Sequence, residues 1–97
     1  MREINAADIT QNVAHMFEHA CHYLPEDVLA ALRDARNKER SPVCRDVYER
    51  ILENVVVAGK EQIPLCQDTG LSVVWLELGQ EVHITGGDLY TAVNEGV

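Results

Sequence analysis

The stretch from Ile63 to Leu78 reads IPLCQDTGLSVVWLEL, and the pattern of the chain changes within it. Apolar residues recur at helical spacing before this stretch, whereas residues 71–78 are almost continuously apolar and rich in Val, Trp and Leu. A short run of that composition favours a buried strand. The Gly-Gln pair that follows predicts a turn and residues 81–85 a second strand, so we expect the two strands to pair as a β-hairpin.

Three helices are predicted ahead of this stretch, and a fourth after the hairpin. The first covers about residues 5–22 and the second about 25–39, each with an apolar stripe at helical spacing. In the third, Ser41 is expected to cap the helix, Pro42 to occupy its first turn and Gly59 to end it. The chain of 97 residues is therefore predicted to be a single α+β domain that is a fragment of a larger one.

Composition and charge exclude several classes of protein. The formal net charge is −8, with only 8 Lys and Arg residues, so no basic surface for nucleic acid is expected. No apolar run approaches the ~20 residues of a membrane span, and the N-terminus does not resemble a signal peptide. We therefore expect a cytoplasmic protein that binds neither nucleic acid nor a membrane.

The three cysteines are odd in number and widely spaced, which does not suggest a disulfide framework. Cys21 and Cys44 lie beside the apolar stripes of predicted helices, and we expect both to be buried. Trp75 lies in the most apolar run of the chain and is also expected in the core. If native neighbours are missing, one face of the 71–78 strand is expected to be exposed and to drive self-association into homo-oligomers.

Cys66, Gln67 and Asp68 place a thiol, an amide and a carboxylate side by side. Pro64 disfavours a helical conformation before them and Gly70 can bend the chain after them, so a loop is predicted. A loop thiol can bind soft metals, the amide can hydrogen-bond a carboxylate or hydroxyl, and the carboxylate can exchange a proton. On composition alone, an ordinary turn with a buried cysteine is the alternative.

The string IPLCQDTG strongly resembles the signature of the iron–sulfur-dependent class I fumarases and the related L-tartrate dehydratases. The resemblance extends to YLPEDV at residues 23–28 and to residues 79–97, which begin GQEVHITGGDLY. Essentially the whole chain resembles the beginning of the α subunit, or N-terminal domain, of such an enzyme.

The resemblance implies a hydro-lyase that adds or removes water on a four-carbon dicarboxylate, either fumarate/malate or tartrate/oxaloacetate. In this family three cysteines hold a 4Fe-4S cluster whose open iron acts as a Lewis acid. Cys66 corresponds to the first cluster ligand, while Gln67 and Asp68 correspond to substrate-binding residues, with Asp68 also handling a proton or orienting the hydroxyl. The other two ligands are expected in the remainder of the α subunit and in a β subunit or domain, so the chain alone is expected to be inactive.

Two other functions are compatible with the sequence. His15, His19 and His22 share one face of the first predicted helix, where they could form a small zinc site. A solvated polar face is the simpler interpretation of the same spacing. The chain could also be a non-catalytic protein-interaction module that uses its helices and hairpin to bind a partner.

Overall fold

The computed structural model describes the whole chain, residues 1–97, as four helices and two short strands. The predicted α+β class and the order of the four helices are confirmed. Two compact units are present, one formed by Met1–Glu18 with Asp68–Val97 and the other by His19–Gln67. None of the helices combines the length and the apolar character that crossing a membrane requires. In chain order the elements are β1 (Arg2–Asn5), α1 (Ala6–His22), α2 (Glu26–Lys38), α3 (Pro42–Glu61), β2 (Val82–Thr85) and α4 (Leu89–Gly96).

The sheet of the first unit consists of two parallel strands, β1 and β2. Arg2 lies opposite Val82, and the Arg2 amide donates to the carbonyl of Glu81 at 2.9 Å. The predicted β-hairpin is therefore wrong, because the second predicted strand pairs with the N-terminus and not with residues 71–78. A strand of 4 residues that runs directly into a helix is too short to show a period of its own, so the sequence pattern did not reveal β1.

Residues 71–78 form neither a strand nor a helix. Leu71 is 94% exposed and Trp75 is 87% exposed, so the prediction that Trp75 lies in the core is wrong. An apolar run is buried only where another element covers it, and the two-stranded sheet does not extend to this segment. The segment and α1 together line a groove of about 310 Å³, whose apolar lining includes Ile9, Val13, Met16, Val74, Trp75 and Leu76.

Small residues allow α4 to pack closely on α1 within the first unit. A Cβ atom placed on Gly96 would lie 2.6 Å from the Cβ of Val13, closer than van der Waals contact permits. The hydroxyl of Thr10 donates to the Ala92 carbonyl at 2.8 Å, which joins the two helices by a hydrogen bond. Ala6, Val13 and Ala92 are the buried apolar residues of this unit, so its core is small.

Side-chain caps mark the starts of both helices of the first unit. The Asn5 Oδ1 atom accepts from the amide of Ala7 at 2.9 Å, and Asp88 accepts from the amide of Thr91 at 3.0 Å. Gly86 has a φ of 78° and lies beside Asn5, where an added Cβ would be 3.0 Å from the side-chain amide. Glycine is therefore required there by both the backbone conformation and the space.

In the second unit, α3 begins as the sequence predicts. The Ser41 hydroxyl accepts from the amide of Cys44 at 3.4 Å, which caps the helix. The helix ends at Glu61, two residues beyond the predicted stop at Gly59, and Gln62 then adopts a left-handed conformation with a φ of 54°. The non-glycine residue at this position explains why the end was misplaced, because glycine is the usual signal for that conformation.

Gly59 has a packing role instead of a terminating one. A Cβ atom at Gly59 would lie 2.9 Å from a ring carbon of Tyr23, so the absence of a side chain lets the ring approach α3. The Tyr23 hydroxyl donates to the Gly59 carbonyl at 3.4 Å and accepts from Gln62 Nε2 at 2.7 Å. The end of α1 is thereby joined to the end of α3 within the second unit.

Candidate active site

The segment that contains the predicted site follows α3 and has no helix or strand of its own. Leu65 is held on both sides by hydrogen bonds. Its amide donates to the carbonyl of Cys21 at 2.8 Å, and its carbonyl accepts from Asn54 Nδ2 at 2.7 Å. These bonds fix the backbone immediately before Cys66 to the last turn of α1 and to α3, so an irregular segment has a defined place.

All three cysteines are exposed. The predicted burial of Cys21 and Cys44 is therefore wrong. Cys21 lies in the last turn of α1 and Cys44 in the first turn of α3, at helix ends where both residues are exposed. For Cys66 the alternative of a buried structural cysteine is also excluded, and its thiol is accessible to a metal or a small molecule.

Asp68 shapes the turn that follows. Its Oδ1 atom accepts from the amide of Gly70 at 2.9 Å, and Gly70 has a φ of 58°. The prediction that Gly70 bends the chain is confirmed. Glycine is favoured here by the left-handed backbone conformation. Lack of space is not the reason, because an added Cβ would meet nothing within 4 Å. Gln67 and Asp68 are both exposed. The carboxylate thus combines a structural hydrogen bond with exposure to solvent.

Sequence reasoning did not identify Asn54 as a residue that supports this segment. Asn54 lies 11 positions before its partner, beside the apolar stripe of α3, and the exposed face of a helix commonly carries such a residue. Nothing in the spacing connects it to Leu65. The contact of the Cys21 carbonyl could not be predicted either, because a backbone acceptor at a helix end has no sequence signature of its own.

A complete 4Fe-4S cluster needs more ligands than this chain brings together. Such clusters are held by several cysteine thiolates, and the structure contains no group of three or more His, Cys, Asp or Glu side chains placed to hold a metal. The exposed Cys66 thiol is suited to be one ligand. The chain does not by itself fit a complete cluster.

The histidines of α1 have other neighbours. His15 Nδ1 lies 4.0 Å from a carboxylate oxygen of Glu18. The His19 ring stacks on that of Tyr23, with centroids 4.6 Å apart and an angle of 29° between the planes. The zinc hypothesis for His15, His19 and His22 gains no support from these contacts.

The arginines of the second unit line a cleft of about 570 Å³ between α2 and α3. Three of them contribute to it, and each lies within salt-bridge distance of a carboxylate. An anionic substrate would have to compete with these carboxylates, so we do not assign substrate binding to this cleft. The pairs are Arg33 with Glu26 at 3.5 Å, Arg36 with Glu49 at 3.6 Å and Arg50 with Glu53 at 3.0 Å.

Comparison with known proteins agrees with the resemblance seen in the sequence. The profile of a family described as fumarate hydratase (fumerase) matches residues 10–97. The chain is also 41% identical over 75 residues to a protein of Methanocaldococcus jannaschii provisionally named L(+)-tartrate dehydratase subunit alpha. Both names describe hydro-lyases. The chain belongs to the fumarate hydratase family.

The match to the archaeal protein covers very different shares of the two proteins. It covers 77% of this chain but only 26% of the archaeal protein. The chain thus spans about a quarter of the length of the relative it matches.

Proposed function

We propose that this chain forms part of a hydro-lyase that adds water to, or removes it from, a four-carbon dicarboxylate. The substrate pair is fumarate/malate or tartrate/oxaloacetate. The observation that carries the proposal is the exposed Cys66-Gln67-Asp68 segment, which follows a backbone held by two hydrogen bonds in a chain of the fumarate hydratase family. A thiol, an amide and a carboxylate that all reach solvent can serve a ligand, whereas buried ones could not.

Cys66 is proposed as one ligand of a 4Fe-4S cluster, with the other two ligands outside these 97 residues. When bound, the cluster would supply Lewis acidity, which stabilises the charge that develops on a departing hydroxide. The contribution of this chain is to hold a thiolate at a fixed place. The two hydrogen bonds of Leu65 support that role, because they restrict the backbone one residue before the thiol.

Gln67 and Asp68 are proposed to bind the substrate. The Gln67 amide can donate to a substrate carboxylate, and Asp68 can accept a hydrogen bond from the substrate hydroxyl or hold its proton. The amide of Gly70 donates to Asp68 Oδ1, which orients the carboxylate before any substrate arrives. Orientation of this kind reduces the entropy that must be lost on binding.

The remainder of the α subunit and a β subunit or domain are the proposed partners. The archaeal relative is about four times as long as the matched region and carries the designation subunit alpha in its name. Those parts would contribute the remaining cluster ligands and the groups that distinguish fumarate from tartrate. A reducing cytoplasm is the proposed compartment, because exposed thiols remain reduced there.

A second candidate function rests on residues 71–78. Leu71 and Trp75 are almost fully exposed, and large exposed apolar side chains in one segment are typical of a protein-interaction site. A non-catalytic interaction module would use this surface and would not require Cys66. The two candidates are therefore separated by whether the thiol is essential to the function of the complete protein.

The test is an assay of the complete enzyme, purified without oxygen, with fumarate and with L-tartrate in parallel. Hydration of fumarate or dehydration of tartrate is expected, together with the visible absorbance of an iron–sulfur cluster. A complete protein that binds iron and sulfide but processes neither dicarboxylate would refute the proposed reaction. A complete protein without iron would refute the proposed cofactor.

A further inference from the structure

Two of the three cysteines belong to segments that a hydrogen bond joins within the second unit. Cys21 lies in the last turn of α1, and its carbonyl accepts from the amide of Leu65 at 2.8 Å. Cys66 is the next residue of the chain. The backbone therefore brings the residue before Cys66 to Cys21, although 44 residues separate the two cysteines in the sequence. The third cysteine, Cys44, lies near the N-terminus of a helix, in the first turn of α3.

A disulfide requires its two cysteines to come close to each other. The Cα atoms of bonded cysteines are about 4.4–6.8 Å apart. A backbone hydrogen bond holds Leu65 against Cys21, and Cys66 follows Leu65 at one Cα–Cα step of about 3.8 Å. Both thiols are exposed, which gives an oxidant access to them. The Asn54 bond to Leu65 also holds this segment.

We infer that Cys21 and Cys66 form a modification site, a reversible disulfide that is made by exchange with an oxidised low-molecular-weight disulfide such as glutathione disulfide. The Cys66 thiolate attacks one sulfur of the reagent and releases one glutathione thiolate. The Cys21 thiolate then attacks the Cys66 sulfur of the mixed disulfide and releases the second. The protein loses two protons and two electrons, and one molecule of reagent is reduced to two thiols.

The consequence for the enzyme rests on the proposed function of Cys66 as a cluster ligand. A sulfur in a disulfide cannot donate as a thiolate, so oxidation would prevent cluster binding, and reduction would restore it. A disulfide is returned to thiols by a reductant, whereas sulfinic and sulfonic acids in general are not. The bond between Cys21 and Cys66 would thus protect the ligand from permanent loss whenever the cluster is absent.

The experiment uses the 97-residue chain without metal, treated with glutathione disulfide and then analysed by peptide mass spectrometry. We expect the titratable thiols to fall from three to one and a peptide pair that links Cys21 to Cys66. A thiol reductant should restore all three. In Cys21→Ser we expect glutathione to remain attached to Cys66, and in the matched control Cys44→Ser we expect the link to form as in the wild type.

Two outcomes would overturn the inference. One is stable glutathionylation of Cys66 in the wild-type chain without any linked peptide. The other is a mixture of all three possible pairings in the folded chain equal to that obtained in denaturant, since the link would then owe nothing to the fold. Neither outcome bears on the cluster, whose presence is read separately from the visible absorbance of the complete enzyme, so the inference and the proposed function can fail independently.

Discussion

The side-chain amide of Asn54 donates to the carbonyl of Leu65 at 2.7 Å, and this bond ties the exposed Cys66 segment to α3. Without it, the hydrogen bond from the Leu65 amide to the Cys21 carbonyl would still hold this residue. We expect Asn54→Ala to lower the free energy of unfolding by about 1 kcal/mol, the usual net value of one hydrogen bond. Urea denaturation measures this, and hydrogen exchange of the Leu65 amide should become faster.

Asn12→Ala is the matched control for that prediction. Asn12 Nδ2 donates to the Asp8 carbonyl at 2.8 Å within α1, in the first unit, so the control removes a hydrogen bond of similar length. We expect exchange of the Leu65 amide to be unchanged in this variant. If Asn54→Ala also left that exchange unchanged, the bond would not be what positions the Cys66 segment.

Gly96 gives a prediction about the packing of α4 on α1. An added Cβ would lie 2.6 Å from the Cβ of Val13 and 2.7 Å from the Thr10 carbonyl oxygen, so the helices would have to separate. Overpacking of this kind costs about 1–3 kcal/mol, which outweighs the gain of up to about 1 kcal/mol from replacing Gly by Ala in a helix. We expect Gly96→Ala to lower the thermal midpoint. Gly79→Ala, whose Cβ would lie 3.5 Å from Val82, should have little effect.

The helices were predictable because each carries its own local signals. Ser41 before Pro42 marks the start of α3 independently of the rest of the fold, and Asp88 precedes α4 in the same way. The strand pairing was not predictable, because Arg2 of β1 pairs with Val82 of β2, 80 positions further along the chain, and nothing local links the two strands. The composition of 71–78 suggested burial, but composition does not say which element provides the cover.

The candidate site was predictable only in part. Pro64 and Gly70 predict a loop around the thiol, amide and carboxylate; the structure confirms the bend at Gly70 and shows that Cys66 is exposed. The contacts that hold the bend were not predictable, since they join Leu65 to groups from two different helices. The roles assigned to Cys66, Gln67 and Asp68 came from the family resemblance, and they remain predictions.

The fluorescence of Trp75 reports on the exposed segment 71–78, because Trp75 is the only tryptophan of the chain and is 87% exposed. The first unit carries eight carboxylates, and Arg2 is its only Lys or Arg residue, so repulsion opposes self-association at low salt. Added salt screens that repulsion. We therefore expect sedimentation velocity to show association that increases with salt, and Trp75→Gln to reduce it by a large fraction.

Tyr90→Gln is the control for the self-association experiment. Tyr90 is 79% exposed, yet it lies on α4 and outside the apolar segment. Its replacement should leave the association unchanged, while a blue shift of the tryptophan emission should accompany association of the wild type. Equal association of the wild type and Trp75→Gln at every salt concentration would rule out residues 71–78 as the contact surface.

Cys66→Ser tests the proposed ligand in the complete enzyme. A serine hydroxyl is a poor ligand for iron in place of a thiolate, so the visible absorbance of the cluster should be lost and turnover should fall to background. Cys44→Ser replaces another exposed cysteine and should retain both. Full iron and sulfide content in Cys66→Ser would remove this residue from the set of ligands.

Asp68→Asn separates proton handling from cluster binding. The amide is close in size to the carboxylate and its oxygen can still accept from the Gly70 amide, so the turn and the cluster should be preserved. Asparagine cannot take up the proton, and loss of acid–base assistance typically lowers turnover by ~10²-fold or more. Steady-state rates with fumarate, measured beside the iron content of the same sample, test this. Near-normal turnover with a full cluster would show that another residue handles the proton, whereas loss of the cluster would show that Asp68 acts on the fold of the segment.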